Sequence, residues 1–121
     1  MALRDKLRQR VQPLLEPGEE IQEIFLARSP PGRKAFVAGA AATLASSFWI
    51  VAATDQSIVV CSVKSRMNLG IPKEIVARFP RNTRLGPITR RDFAELNVSI
   101  EARPVLVRRP FFKDVEGADA W

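Results

Sequence analysis

The residue types that most often do chemistry in proteins are sparse in this chain. Among its 121 residues there is no histidine and a single cysteine, Cys61. Histidine is the commonest general base and the commonest metal ligand, so its absence argues against most hydrolase, metalloenzyme and phosphorelay sites. Cys61 lies within the β-branched run 57–63 with no histidine to activate its thiol, which favours a buried structural role. A single cysteine also excludes a disulfide within the chain and fits a reducing compartment.

The remaining nucleophiles and carboxylates form no catalytic pattern in the sequence. Asp92 and Glu95 are close together, but they fall across a turn and an alternating strand, where side chains at an odd separation point to opposite faces. Neither the pair Ser46 and Ser47 nor Ser57 has a basic partner that would activate it. The glycines match no phosphate-loop pattern. We therefore predict that the protein is not an enzyme and needs no cofactor or metal ion.

The distribution of charge is more informative. The window 61–91 contains eight basic residues and one acidic residue, Glu74, so it has a net charge of +7, while the whole chain has +6. A concentrated positive potential attracts anionic partners and raises their encounter rate. The eight basic residues of this window form the candidate anion-binding face: Lys64, Arg66, Lys73, Arg78, Arg81, Arg84, Arg90 and Arg91.

Several partners are compatible with such a face. An anionic membrane surface would attract it by about 1 kcal/mol per basic residue near the lipid. Single-stranded nucleic acid usually needs exposed aromatic residues among the basic ones, and Phe79 and Phe93 fit a strand core better, so nucleic acid is less favoured. A protein partner could instead pair with a sheet edge or fill a groove beside a helix. The basic side chains would then be a solvated surface whose stems cover apolar sheet.

The N-terminal segment predicts an amphipathic helix. Apolar residues recur at helical spacing over residues 3–15, and the helix should end near Pro17 and Gly18. We expect residues 1–16 to pack on the domain instead of lying free on a membrane, because Asp5 and Glu16 dilute the basic face. This segment lacks the apolar core of a secretory signal. We predict a cytoplasmic location, with peripheral attachment to the inner face of the membrane if the basic face binds lipid.

The stretch 35–53 has 19 residues without a charge and is nominally long enough to span a bilayer. Eight of these residues are alanine, and much of the strongly apolar content lies in the segment 48–51. On a transfer scale such a composition is weakly hydrophobic. We interpret the end of the stretch as a buried strand and predict no transmembrane helix.

The rest of the chain predicts short strands separated by turns. Strands are indicated at 20–28, 48–53, 57–63, 74–79, 94–100 and 105–108, and a short helix begins at Pro110 and is weakened by Gly117. Together with the N-terminal helix they predict one domain over residues 1–121. Its fold class is mainly β: a small bent antiparallel sheet of about seven strands, or a partly closed barrel, with capping helices. The expected core positions are Ile50, Val60, Ala77, Leu96, Val98 and Val107.

The order and spacing of these segments resemble the bacterial pleckstrin-homology-like domains. The likeness is carried by residues 15–20 (Leu-Glu-Pro-Gly-Glu-Glu), 53–58 (Ala-Thr-Asp-Gln-Ser-Ile) and 105–112 (Val-Leu-Val-Arg-Arg-Pro-Phe-Phe). Ala53 and Gln56 stand where the family's hairpin motif usually has Val and Arg. The resemblance implies a seven-stranded, strongly bent sheet closed at one end by the C-terminal helix. Function in that family is mostly unassigned, so a non-catalytic binding or scaffolding module is our expectation from the residues themselves.

Overall fold

The chain folds into a β-sheet flanked by two short helices. The computed structural model describes residues 3–29, 47–65, 68–86, 88, 93–100 and 103–120, with the backbone alone for residues 68, 69 and 93. In chain order the elements are α1 (Leu3–Val11), a 3-10 turn (Gln12–Leu14), β1 (Ile21–Ser29), β2 (Ser47–Thr54), β3 (Ser57–Ser65), β4 (Asn68–Pro80), β5 (Phe93–Ile100), β6 (Arg103–Arg108), a second 3-10 turn (Arg109–Phe111) and α2 (Phe112–Asp119).

The strands form one antiparallel sheet in the order β4-β3-β2-β1-β6-β5. The first four strands are a meander, and β6 returns to pair with the free side of β1. The predicted antiparallel, mainly β fold is confirmed. Six strands are formed in the described part of the chain, where about seven were expected, and the sheet is open because β4 and β5 are its two edges. Of the two predicted forms, the described residues therefore adopt the open antiparallel sheet and not the partly closed barrel.

The inner strands are covered on both faces. One face carries the cluster that packs with α2, here called the α2 cluster, which includes Phe25, Trp49, Val51 and Val115. The other face packs under α1 in the α1 cluster, whose buried members are Leu7, Val11, Ile24, Ile50, Ala52, Val59 and Cys61. Strands buried on both faces appear in a sequence as continuous apolar runs without alternation. This explains the unbroken apolar runs of β2 and β3.

The expected core positions divide between these two faces. Val60, Leu96 and Val107 are buried in the α2 cluster, and Ala77 and Val98 are partly buried against it. Ile50 is fully buried as well, but in the α1 cluster. The helix α1 creates this second interior by covering the opposite face of the sheet.

The N-terminal helix packs on the sheet as predicted, through Leu7 and Val11, but it is shorter than expected. Its α-helical part ends at Val11, and a 3-10 turn with Pro13 in its first positions follows. Proline has no amide hydrogen and crowds the preceding turn, which ends the α-helix there. Gly18 then adopts a φ of 82°, a left-handed conformation that suits glycine, and the chain enters β1.

The C-terminal helix α2 lies against β1, with Gly117 facing the side chain of Glu23. A Cβ atom at position 117 would meet the carboxylate end of Glu23, so this flexible side chain would have to move. The glycine that was expected only to weaken this helix therefore also leaves space for Glu23. At the other end of α2, Arg4 of α1 forms an ion pair with Asp114, with 2.7 Å between Nη2 and Oδ2, which joins the two helices.

The uncharged stretch 35–53 is described only from residue 47 onward, where it forms β2 as predicted. Residues 35–46 lie outside the described residues. Within the ranges that the structure covers, no helix is long and apolar enough to cross a membrane.

The packing of α1 predicts a clear difference between two leucines. Leu7 is fully buried, whereas Leu14 is 36% exposed. Replacing Leu7 by Ala should lower the free energy of unfolding by about 2–5 kcal/mol, because it leaves a cavity in the α1 cluster. Leu14→Ala should change it by about 0.5 kcal/mol or less. Urea denaturation of both variants measures this, and equal effects would contradict the docking of α1.

Candidate anion-binding site

Two of the predicted cations lie on adjacent strands of the sheet. Lys64 on β3 and Lys73 on β4 are both exposed. The strands are antiparallel and Val63 is paired with Pro72, so the two lysines follow this pair in opposite directions along the sheet. Neither lysine forms an ion pair with the described residues. The structure therefore places these two members of the predicted face in solvent on neighbouring strands.

Arg78 lies farther along β4 and is engaged by an internal carboxylate. Its Nη1 atom lies 3.2 Å from Oε2 of Glu19 and 2.8 Å from Oγ of Ser57. Five residues of strand separate it from Lys73, which corresponds to about 16 Å at the usual rise per residue. Arg78 is thus held near the C-terminal end of β4, away from Lys73 in the middle of the strand.

The carboxylate of Glu19 is buried, although Glu19 lies in the connection before β1. It accepts hydrogen bonds from the hydroxyl of Thr54 (2.6 Å), the hydroxyl of Ser57 (3.0 Å), the guanidinium of Arg78 and the backbone amide of Glu16 (3.1 Å). Burial alone would raise the pKa of Glu19, but these donors outweigh it and lower the pKa from 4.5 to about 2. The side chain is therefore ionised at neutral pH.

The turn between β2 and β3 forms further hydrogen bonds with the segment that contains Glu19 and Glu20. The Thr54 hydroxyl oxygen accepts from the amide of Ser57 at 3.0 Å. The carboxylate of Asp55 accepts from the amide of Glu20 at 2.9 Å, and the Asp55 amide donates to the Glu20 carbonyl at 3.0 Å. Segments 15–20 and 53–58, which carry much of the family resemblance, thus contact each other. The polar groups named here hold the turn to the segment that precedes β1.

The side chain of Arg81 is also engaged inside the protein, where it is buried. It is only 7% exposed and donates to the carbonyls of Thr54 (2.6 Å) and Ala118 (2.8 Å) and to Oε1 of Gln22 (3.0 Å). Burial lowers its pKa, against the opposing effect of the Asp119 and Glu23 carboxylates. The side chain ties the end of β2 to the end of α2. Arg81 therefore does not belong to an exposed face, although it was predicted as a member of the anion-binding face.

The last members of the predicted face are dispersed or outside the described residues. Arg84 is exposed in the loop after β4. That loop is anchored by Asp119, whose carboxylate accepts from the amides of Leu85 and Gly86 at 2.7 Å each. Arg66, Arg90 and Arg91 lie in parts of the chain that are not described. The basic window of the sequence is therefore not one surface among the described residues.

Two arginines that the sequence analysis did not select lie together on the sheet. Arg28 of β1 and Arg108 of β6 line a cleft of about 120 Å³ whose other lining residues are apolar: Leu26, Ala27, Phe48, Leu106 and Phe111. Eighty residues of sequence separate the two arginines, and both lie outside the basic window. Only the pairing of β6 with β1 brings them together, so no local sequence signal could have identified them.

The described residues offer little for covalent or metal chemistry. Cys61 is buried, and burial raises the pKa of its thiol to about 11 despite the nearby charge of Arg78. The thiol is therefore protonated at neutral pH, and a protonated thiol is a weak nucleophile and a poor ligand. No group of three or more cysteines, aspartates or glutamates in the described ranges could hold a metal ion. What the arrangement can do is bind anions through its exposed cations.

Comparison of the chain with protein-family models, with curated proteins and with solved structures finds no match. The resemblance to the pleckstrin-homology-like domains therefore remains a prediction from the sequence.

The buried carboxylate predicts a specific loss of stability in acid. The pKa of Glu19 is lower in the folded chain, so its contribution is complete above pH 4.5 and is lost as the pH falls toward about 2. Glu19→Gln should lower the free energy of unfolding by about 3 kcal/mol at pH 7 and by much less near pH 2. Urea denaturation of both proteins across this range measures the difference.

Glu20→Gln is the matched control, because the neighbouring side chain is exposed. It should change the free energy of unfolding by about 0.5 kcal/mol or less. A Glu19→Gln effect that is equally small, or that does not vary with pH, would contradict the structural role of this carboxylate.

Proposed function

We propose that this chain is a non-catalytic binding module with pleckstrin-homology-like architecture that docks on an anionic membrane surface at the inner face of the membrane. The observation that carries the proposal is the pair Lys64 and Lys73. They are exposed on adjacent strands and form no ion pair with the described residues. Other cations of the basic window, Arg78 and Arg81, serve internal contacts.

The expected attachment is weak and reversible. Each basic residue close to an anionic membrane contributes about 1 kcal/mol, so the two lysines together account for about 2 kcal/mol. Ammonium groups on flexible stems can follow a fluid surface of lipid headgroups without fixed geometry. Because both are exposed, salt screens the attraction over roughly a Debye length of 10 Å at 0.1 M.

Nucleic acid is a less suitable partner because the stacking surface is missing in the described part of the chain. The large apolar side chains exposed there are Leu3, Leu14 and Val76, none of which is aromatic. Phe79, the aromatic residue of β4, packs against the α2 cluster. Binding of single strands normally combines cations with aromatic platforms.

A protein partner is the second candidate, since β4 is an edge strand of 13 residues with Val76 exposed. An exposed edge can accept a strand from another chain. However, β4 contains Pro72 and Lys73, and its pairing with β3 has three register shifts. Proline, lysine and bulges are features that discourage pairing at an edge. The membrane is therefore the favoured partner.

The double variant Lys64→Gln/Lys73→Gln tests the proposal. At about 50 mM salt the unmodified protein should co-sediment with vesicles of acidic phospholipid and not with neutral ones, and binding should fall steeply by about 200 mM. The double variant should lose about 2 kcal/mol of binding free energy, which corresponds to roughly 30-fold weaker binding to acidic vesicles.

The control is Lys6→Gln/Lys113→Gln, which removes the same charge from exposed positions on the two helices. It should weaken vesicle binding by less than about threefold, because long-range charge alone is screened. Equal losses in both double variants, or no binding to acidic vesicles at low salt, would refute the proposal. Binding to a short single-stranded nucleic acid in preference to vesicles would favour the alternative partner.

A further inference from the structure

The cleft between β1, β2 and β6 lies on the face of the sheet that α1 only partly covers. Along β1, side chains alternate between faces, so Arg28 shares a face with Ile24 of the α1 cluster. In the sheet register Arg28 is opposite Phe48 of β2 on one side and Leu106 of β6 on the other. Arg28 on the central strand β1 is thus flanked by an apolar residue from each neighbouring strand.

The arginines of the cleft differ from the other described arginines that form side-chain contacts. Arg4 and Arg78 pair with carboxylates, and Arg8, Arg10, Arg81 and Arg103 donate to carbonyl or hydroxyl oxygens. The side chains of Arg28 and Arg108 form no hydrogen bond or ion pair with the described residues. Arg28 is partly buried as a residue, but no described side-chain nitrogen or oxygen is buried without a hydrogen-bond partner. Its guanidinium group therefore reaches solvent beyond a partly covered stem and is accessible to an anionic ligand.

The spacing of the two guanidinium groups suits a single anionic head group. Leu106 is directly opposite Arg28, and Arg108 is two residues farther along β6, so the two arginines are diagonal neighbours. Such neighbours are about 7–8 Å apart at the backbone, which is within reach of two long side chains that converge on one ligand. Guanidinium groups bind phosphate and carboxylate through paired hydrogen bonds.

The walls of the cleft specify the remainder of the ligand. Five of the seven lining residues are apolar, and the volume of about 120 Å³ takes the first methylenes of an alkyl chain but not a whole chain. We propose that this cleft binds a single-chain anionic lipid, with the head group between Arg28 and Arg108 and the first part of the chain against Phe48 and Leu106. Each methylene that becomes buried should raise the affinity by about fourfold.

This inference does not rest on the proposed membrane docking, since the cleft and the lysine pair lie on different strands. Titration calorimetry tests it with dodecyl phosphate and dodecanoate below their critical micelle concentrations and with dodecanol below its solubility limit. The two anionic probes should bind, and their relative affinity distinguishes a phosphate from a carboxylate ligand. Dodecanol, which has the same chain and no charge, should bind at least tenfold more weakly.

Arg28→Gln and Arg108→Gln should each weaken binding of dodecyl phosphate by tenfold or more. Arg109→Gln is the matched control, because this exposed arginine is adjacent in sequence and does not line the cleft; it should change the affinity by less than about twofold. Lys64→Gln/Lys73→Gln should leave it unchanged, so failure of this proposal and failure of membrane docking are distinguishable. Circular dichroism checks the fold of each variant. If Arg28→Gln does not fold, the result for Arg108→Gln decides the test, because Arg108 is exposed.

Several outcomes would overturn the proposal. These are the absence of binding by both anionic probes, equal affinity for dodecanol, or an equal loss in Arg109→Gln, which would indicate diffuse electrostatic attraction. Tighter binding of a peptide with a free C-terminal carboxylate than of either lipid probe would also overturn it, because the cleft would then be a peptide site.

Discussion

The buried carboxylate of Glu19 joins three parts of the chain that are far apart in sequence. It accepts hydrogen bonds from Thr54 and Ser57 at the turn between β2 and β3 and from Arg78 on β4. Removing a carboxylate from water is costly, and it is tolerated because several donors compensate for it. The contact fixes where the chain leaves α1, where it enters β1, and how the β2–β3 turn sits against both. The segment held in this way leads directly into β1, which pairs with β2 on one side and β6 on the other.

The same contacts determine which charges remain for a partner. Arg78 balances the negative charge of Glu19 in an ion pair. Arg81 donates hydrogen bonds to backbone carbonyls at the ends of β2 and α2. The positive window in the sequence therefore divides into cations that contact other parts of the fold and exposed cations that form no ion pair with the described residues. Lys64 and Lys73 belong to the second group. Arg28 lies outside the window and is a cation without a described partner beside an apolar cleft.

The sequence predicted elements whose signals are local, and it failed where tertiary pairing decides. The β2–β3 hairpin was predicted to within two residues, because two apolar runs flank a short polar turn. Alternation over 94–100 located β5, which begins one residue earlier. By contrast, Ile50 was predicted to be buried but not on which face, because a continuous apolar run does not reveal which face each residue occupies. Arg81 was predicted to be exposed because nothing in its neighbourhood indicates that distant carbonyl groups would surround it. Arg108 could not be connected with Arg28 before the pairing of β6 with β1 was known.

A double-mutant cycle between Glu19 and Arg78 tests most directly whether this carboxylate organises the fold. Urea denaturation at pH 7 of the unmodified protein, Glu19→Gln, Arg78→Gln and the combined variant gives the coupling energy between the two side chains. The structure predicts a favourable coupling of about 1–3 kcal/mol, since the pair is in contact and shares the Ser57 hydroxyl. Additive effects, within about 0.5 kcal/mol, would contradict the account.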